Sequence, residues 1–131
     1  MSEFNAKPVK KLWNPNSFIV FSVLFSFLPA GIMYALNYGR SGYSKKKWTY
    51  LIGVIIFLPI ALFLTSLLPD FLSKTVLTGI NAVGGIYFMN TQEQLYKNHI
   101  KSGGKRASYF LPITISLLFT ALILALYIIG N

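Results

Sequence analysis

The chain has 131 residues, enough for one compact domain. Hydrophobic residues make up 54% and charged residues 11%, against roughly 25% charged in soluble domains. So short a chain cannot bury that much apolar surface in a core of its own, so a bilayer is the better sink. Twelve Lys and Arg stand against Glu3, Asp70 and Glu93, for a net charge of +9. The cations flank the apolar runs, where topology signals and anionic lipid headgroups place them, which argues against nucleic acid as a partner. The absence of cysteine excludes disulfides, thiolate metal sites and thiol nucleophiles.

Residues 1–16 form a short basic tail with Pro8 and Pro15. Its lysines ahead of an apolar run imitate a signal peptide. The run is too long for that, and it lacks a small-x-small exit, so it is read as retained. Trp13 fits an interfacial anchor. Asn14 or Asn16 is placed to cap the helix that starts near Ser17.

The first uncharged run, residues 17–38, carries Pro29-Ala30-Gly31 near its middle. Proline removes a backbone donor and crowds the preceding turn. Two arrangements fit: one kinked spanning helix, or two half-helices that turn at Pro29 to Gly31 and return to the same side. Such a re-entrant hairpin requires other helices to cover its broken backbone.

Residues 39–48 read as a basic loop with Arg40, Lys45, Lys46 and Lys47. The second run, 49–68, is a spanning helix with a kink at Pro59. Pro69 ends it, and Asp70 is placed to cap the next helix. The third span, 72–92, is weaker, with Asn81 and three glycines. Thr75, Thr78, Ala82 and Gly85 share one stripe of it. Small and hydroxyl residues let backbones approach closely in lipid, so this span is expected to be the central, protein-facing helix. Asn81 is read as an interhelical hydrogen-bonding group, with a pore-lining role as the alternative. The helix is expected to continue past residue 92, with Glu93 and Lys97 paired at i, i+4, until Gly103-Gly104 stops it. Residues 93–108 form a second basic loop. The fourth run, 109–129, spans without a charge, with Pro112 harmless in its first turn. Leu117, Ala121 and Ala125 give it a packing stripe.

These runs predict an all-α, polytopic membrane helical bundle. Residues 17–131 form one transmembrane domain with three firm spans (49–68, 72–92, 109–129) plus segment 17–38. With all four segments spanning, eight cations lie on the side of the 39–48 and 93–108 loops and four on the other. With segment 17–38 re-entrant, the split is eleven to one. Both counts put the two loops in the cytoplasm and the C-terminus outside.

Lys74 sits at the end of the third span, where it can snorkel. None of the uncharged runs 17–38, 49–68, 75–92 and 109–129 contains Asp, Glu, Lys, Arg or His. That argues against ion-coupled antiport and against intramembrane metalloproteases. With one histidine and scattered acids, neither a metal site nor a catalytic pair is assembled, and no cofactor is implied. A polar constellation remains. Gln92, Tyr96 and His99 share one face of the third helix, and Asn37, Tyr38 and Arg40 end segment 17–38 on the same side. Together they are a candidate site for a lipid headgroup or a partner protein.

The pattern of Trp13 and Pro15, Pro29 and Gly31, Leu36-Asn37-Tyr38, Arg40 and Gly42, then Gln94, Tyr96, His99 and Gly103-Gly104 resembles small uncharacterised multi-pass membrane proteins of bacteria. The resemblance implies a lineage and brings no activity. The expected function is therefore non-enzymatic: a membrane protein acting by helix–helix association, as an accessory subunit or homo-oligomer. The alternatives are a small oligomeric channel or uniporter along Asn81, Thr78 and Thr75, and an immunity or stress protein.

Overall fold

A computed structural model describes residues 11–131. Most of the basic tail, including Lys7, Pro8 and Lys10, lies outside the described residues. The rest is helical: α1 (Asn16–Phe25), α2 (Phe27–Arg40), α3 (Ser44–Ser66), α4 (Asp70–Lys101) and α5 (Phe110–Gly130).

Segment 17–38 is a helical hairpin. Its two legs have 10 and 14 residues, about 15 and 21 Å at 1.5 Å per residue, so neither leg reaches across a ~30 Å hydrocarbon core. The legs run back to back. Trp13, just ahead of α1, exchanges backbone hydrogen bonds with the side chain of Asn37 near the end of α2. Further in, the rings of Phe18 and Tyr34 meet edge to face at 6.2 Å. The turn is three residues earlier than Pro29-Gly31. It falls at Ser26, whose φ of 125° and ψ of 168° break the helix. Pro29 then occupies the first turn of α2, where a missing N–H is no loss.

The sequence suggested three firm spans, but among the described residues two helices, α3 and α5, are both long and apolar enough to cross a membrane. The helix over 72–92 is long, at 32 residues, but Asn81, Thr78, Gln92 and its charged extension dilute its apolar character. The basic segment 39–48 is also shorter as a loop than expected. Only residues 41–43 turn, with Gly42 at φ 93°, and Lys45, Lys46 and Lys47 already belong to α3. That helix continues through Pro59. Asp70 is the first residue of α4 and makes no side-chain cap. The acid there still favours the positive end of the helix dipole. The α4 extension ends at Lys101, with Lys97 and Glu93 3.1 Å apart and Gly103 at φ 86° beyond it.

The central helix is α2, not α4. Nine of its 14 residues are buried, and it touches all four other helices. Tyr34 is its hub. The ring stands 4.7 Å from both Tyr50 on α3 and Phe88 on α4, and 5.0 Å from Tyr38. Its hydroxyl meets Thr91 Oγ1 at 2.8 Å. By contrast α4 buries only Gly85, Phe88, Gln92 and Tyr96. Gly85 sits where α1 crosses: a Cβ there would lie 2.8 Å from Ile19 Cα and 2.9 Å from Ser22 Cβ. The last helix, α5, buries Pro112 and Ser116, while residues 121–130 are all exposed.

Candidate functional site

Two polar clusters hold the hairpin, one at its open end and one at its tip. At the open end Asn37 and Gln92 are fully buried. Asn37 Oδ1 accepts from the Trp13 N–H at 3.0 Å. Its Nδ2 donates to Trp13 O at 2.9 Å and to Gln92 Oε1 at 2.8 Å. Gln92 Nε2 donates to Tyr34 O at 2.9 Å. The Asn37 amide has thus placed both its N–H donors and its oxygen. In a low-dielectric interior each such bond is strong and each missing one is costly.

Trp13 is 1% exposed and is no interfacial anchor. Its indole Nε1 donates to Ser108 O at 2.9 Å, and the Arg40 guanidinium carbon lies 4.0 Å over its ring. The residue before it joins the α4–α5 connection: Leu12 N donates to Lys105 O at 3.2 Å and Ala107 N donates to Leu12 O at 2.8 Å. The tail, the hairpin and the start of α5 are therefore pinned together at one end of the bundle.

At the tip the N-terminal donors of α2 are all accounted for. Ser26 N donates to Ser22 O at 3.1 Å. Phe27 N donates to Asn81 Oδ1 at 3.0 Å, and Leu28 N to Ser26 Oγ at 3.2 Å. The next residue is Pro29, which has no N–H. Ser22 Oγ donates to the Asn81 carbonyl, tying the end of α1 to the same turn of α4. The Phe27 ring also meets Phe57 at 5.2 Å, near the middle of α3. A helix break buried in apolar surroundings requires this accounting.

Of the residues named from the sequence, the structure brings Asn37 and Gln92 into direct contact, but as a closed clamp and not an open polar pocket. Tyr38 is buried among aromatic rings, 5.7 Å from Tyr50 and stacked on it. Arg40 reaches the tail, donating from Nη1 to Lys11 O at 2.9 Å. Burial lowers its pKa from the ordinary arginine value. Tyr96 is buried with its hydroxyl unpartnered. His99 closes its own loop, with Nε2 2.9 Å from Lys105 O. Among the proposed packing residues, Gly85 is buried, Asn81 and Ala82 are half-buried, and Thr75, Thr78, Ala121 and Ala125 are exposed. Sequence reading missed Ser22, Ser26 and Tyr34. The signal for Ser26 was a serine three residues ahead of a proline inside an apolar run, a helix-start pattern.

Among the described residues no cluster of three His, Asp or Glu could hold a metal. No known protein family, characterised protein or solved structure matches the chain.

Proposed function

We propose that this is a non-enzymatic integral membrane protein in which α3, α4 and α5 cross the bilayer, while the α1–α2 hairpin enters from the cytoplasmic side and turns back at mid-depth. The chain works by helix association through α5, as a homo-oligomer or an accessory subunit. The re-entrant arrangement has the cleaner charge split, eleven cations to one, with the 39–48 and 93–108 segments cytoplasmic and the C-terminus outside. The many exposed Leu, Ile and Phe side chains of α3 and α5 support a lipid surround.

One observation carries the association. Among the described residues the outer half of α5 is left uncovered: residues 121–130 are exposed throughout, and its first turns meet α2. Lipid gives helices little hydrophobic drive to associate, so small residues that allow close approach decide where they pack. Ala121 and Ala125 form such a stripe. The native chain has no cysteine, so Ala121→Cys gives one defined cross-linking position. Oxidation in native membranes should yield a disulfide-linked dimer, or a stoichiometric adduct with another membrane protein under a bifunctional thiol reagent. A chain that stays monomeric and unadducted would refute the proposal. No particular observation favours a channel, since Asn81 Oδ1 is engaged by the Phe27 N–H.

A further inference from the structure

At the pinned end of the bundle a cleft of about 430 Å³ opens between the tail, the end of α2 and the start of α5. Its polar rim is Lys11, Arg40 and Ser108; its apolar wall is Trp13, Phe110 and Leu111. Among the described residues Arg40 is held there by its stacking on Trp13 and by a hydrogen bond from Nη1 to Lys11 O. A guanidinium has five N–H donors in a rigid fork, so this anchoring leaves a donor edge for a ligand. Lys105 and Arg106 adjoin through the backbone pairing with Leu12. Both carboxylates among the described residues are elsewhere. Glu93 pairs with Lys97, and Asp70 opens α4, 22 residues before Gln92, about 33 Å away along the helix axis.

We propose that this cleft binds the phosphate headgroup of an anionic phospholipid, with Arg40 and Lys11 on the phosphate and the acyl chains running down Phe110 and Leu111 along α5. A half-buried arginine fixed by an aromatic face suits bidentate recognition of phosphate oxygens. The apolar wall leads directly into a helix long and apolar enough to cross a membrane. A free phosphate ion would use the basic rim and leave that wall bare. The site rests on the membrane reading but not on association through α5.

The test uses the full chain in phosphatidylcholine nanodiscs doped with phosphatidylglycerol, with co-purifying lipid counted by native mass spectrometry. The wild type should retain phosphatidylglycerol over phosphatidylcholine. Arg40→Gln should weaken that preference by about tenfold, the worth of one charge-assisted contact. Lys11→Gln, which leaves the Arg40 hydrogen bond to the Lys11 carbonyl in place, should weaken it less but measurably. Lys45→Gln, a cation lost from the same membrane side but outside the cleft, should leave it unchanged. Equal loss in Lys45→Gln would overturn the site in favour of diffuse charge attraction. Displacement of the lipid by inorganic phosphate at matched concentration would overturn it in favour of a free-anion site. Thermal unfolding in pure phosphatidylcholine separates misfolding of Arg40→Gln from loss of binding; Lys11→Gln alone decides if Arg40→Gln unfolds. Ala121→Leu, which disturbs only the α5 stripe, should retain the lipid preference even if it abolishes association.

Discussion

Ser26 carries the sharpest conflict between residue type and conformation. Its φ of 125° with ψ of 168° belongs to a backbone region that is nearly glycine's own, at a cost of about 1–3 kcal/mol. Its Oγ returns part of that by capping Leu28 N. Replacing a capping serine by glycine costs only a few tenths of a kcal/mol, and glycine adds about 0.5–1 kcal/mol of chain entropy to be lost on folding. Ser26→Gly should therefore stabilise the protein by about 1 kcal/mol, whereas Ser26→Ala, which keeps the strain and loses the cap, should destabilise it by about 1 kcal/mol. Unfolding in detergent followed by circular dichroism reads both, and a glycine variant less stable than wild type would remove the strain from the account. The sequence hid this residue. Pro29 and Gly31 are the conspicuous helix breakers in the run, and a lone serine among phenylalanines is not. Trp13 was misread for a related reason: its partner, Asn37, is 24 residues away, and no local pattern announces the pairing.

At the scale of elements, two glycines of α4 make opposite predictions. Gly85 lies against the α1 backbone, so Gly85→Ala must push α1 away and should cost about 1–3 kcal/mol. Gly79 has nothing within 4 Å of where a Cβ would stand, so Gly79→Ala should leave stability unchanged or raise it by up to about 1 kcal/mol through helix propensity. The same unfolding measurement compares them. Comparable losses in both would mean that α1 does not dock on α4 at Gly85. The helices themselves were largely legible. Four apolar runs became helices, Glu93 and Lys97 pair as their spacing predicted, and Pro112 sits in the first turn of α5. What could not be read was rank. The stripe of Thr75, Thr78, Ala82 and Gly85 suggested that α4 was central, but Thr75 and Thr78 are exposed. The hub is α2, whose role depends on Tyr34, Asn37 and Tyr38 meeting three other helices at long sequence separation.

For the whole molecule, the proposed re-entrant topology puts the N-terminus on the cytoplasmic side. In the cysteine-free background Asn5→Cys and Ser102→Cys should react with an impermeant maleimide only when the cytoplasmic face is opened, and Asn131→Cys should react from outside in intact cells. Labelling of residue 5 from outside would return the first segment to a spanning helix and dissolve the hairpin reading. The candidate site was half visible at this scale. The sequence placed Asn37 and Gln92 on the same side, and they do meet, but as a clamp. The open, basic surface formed beside them from the tail and the α4–α5 connection, which only the fold brings together.

The hairpin turns beside Phe57, close to the midpoint of α3, and Asn81, about a third of the way along α4. A cut through the pinned end therefore crosses five rods, and a cut beyond the tip crosses three. Set in a bilayer, such a body displaces more area from one monolayer than from the other. On the proposed topology, a flat sheet crowded with copies would relax by bowing toward the broad end, and the depth of the turn at Ser26 would set by how much.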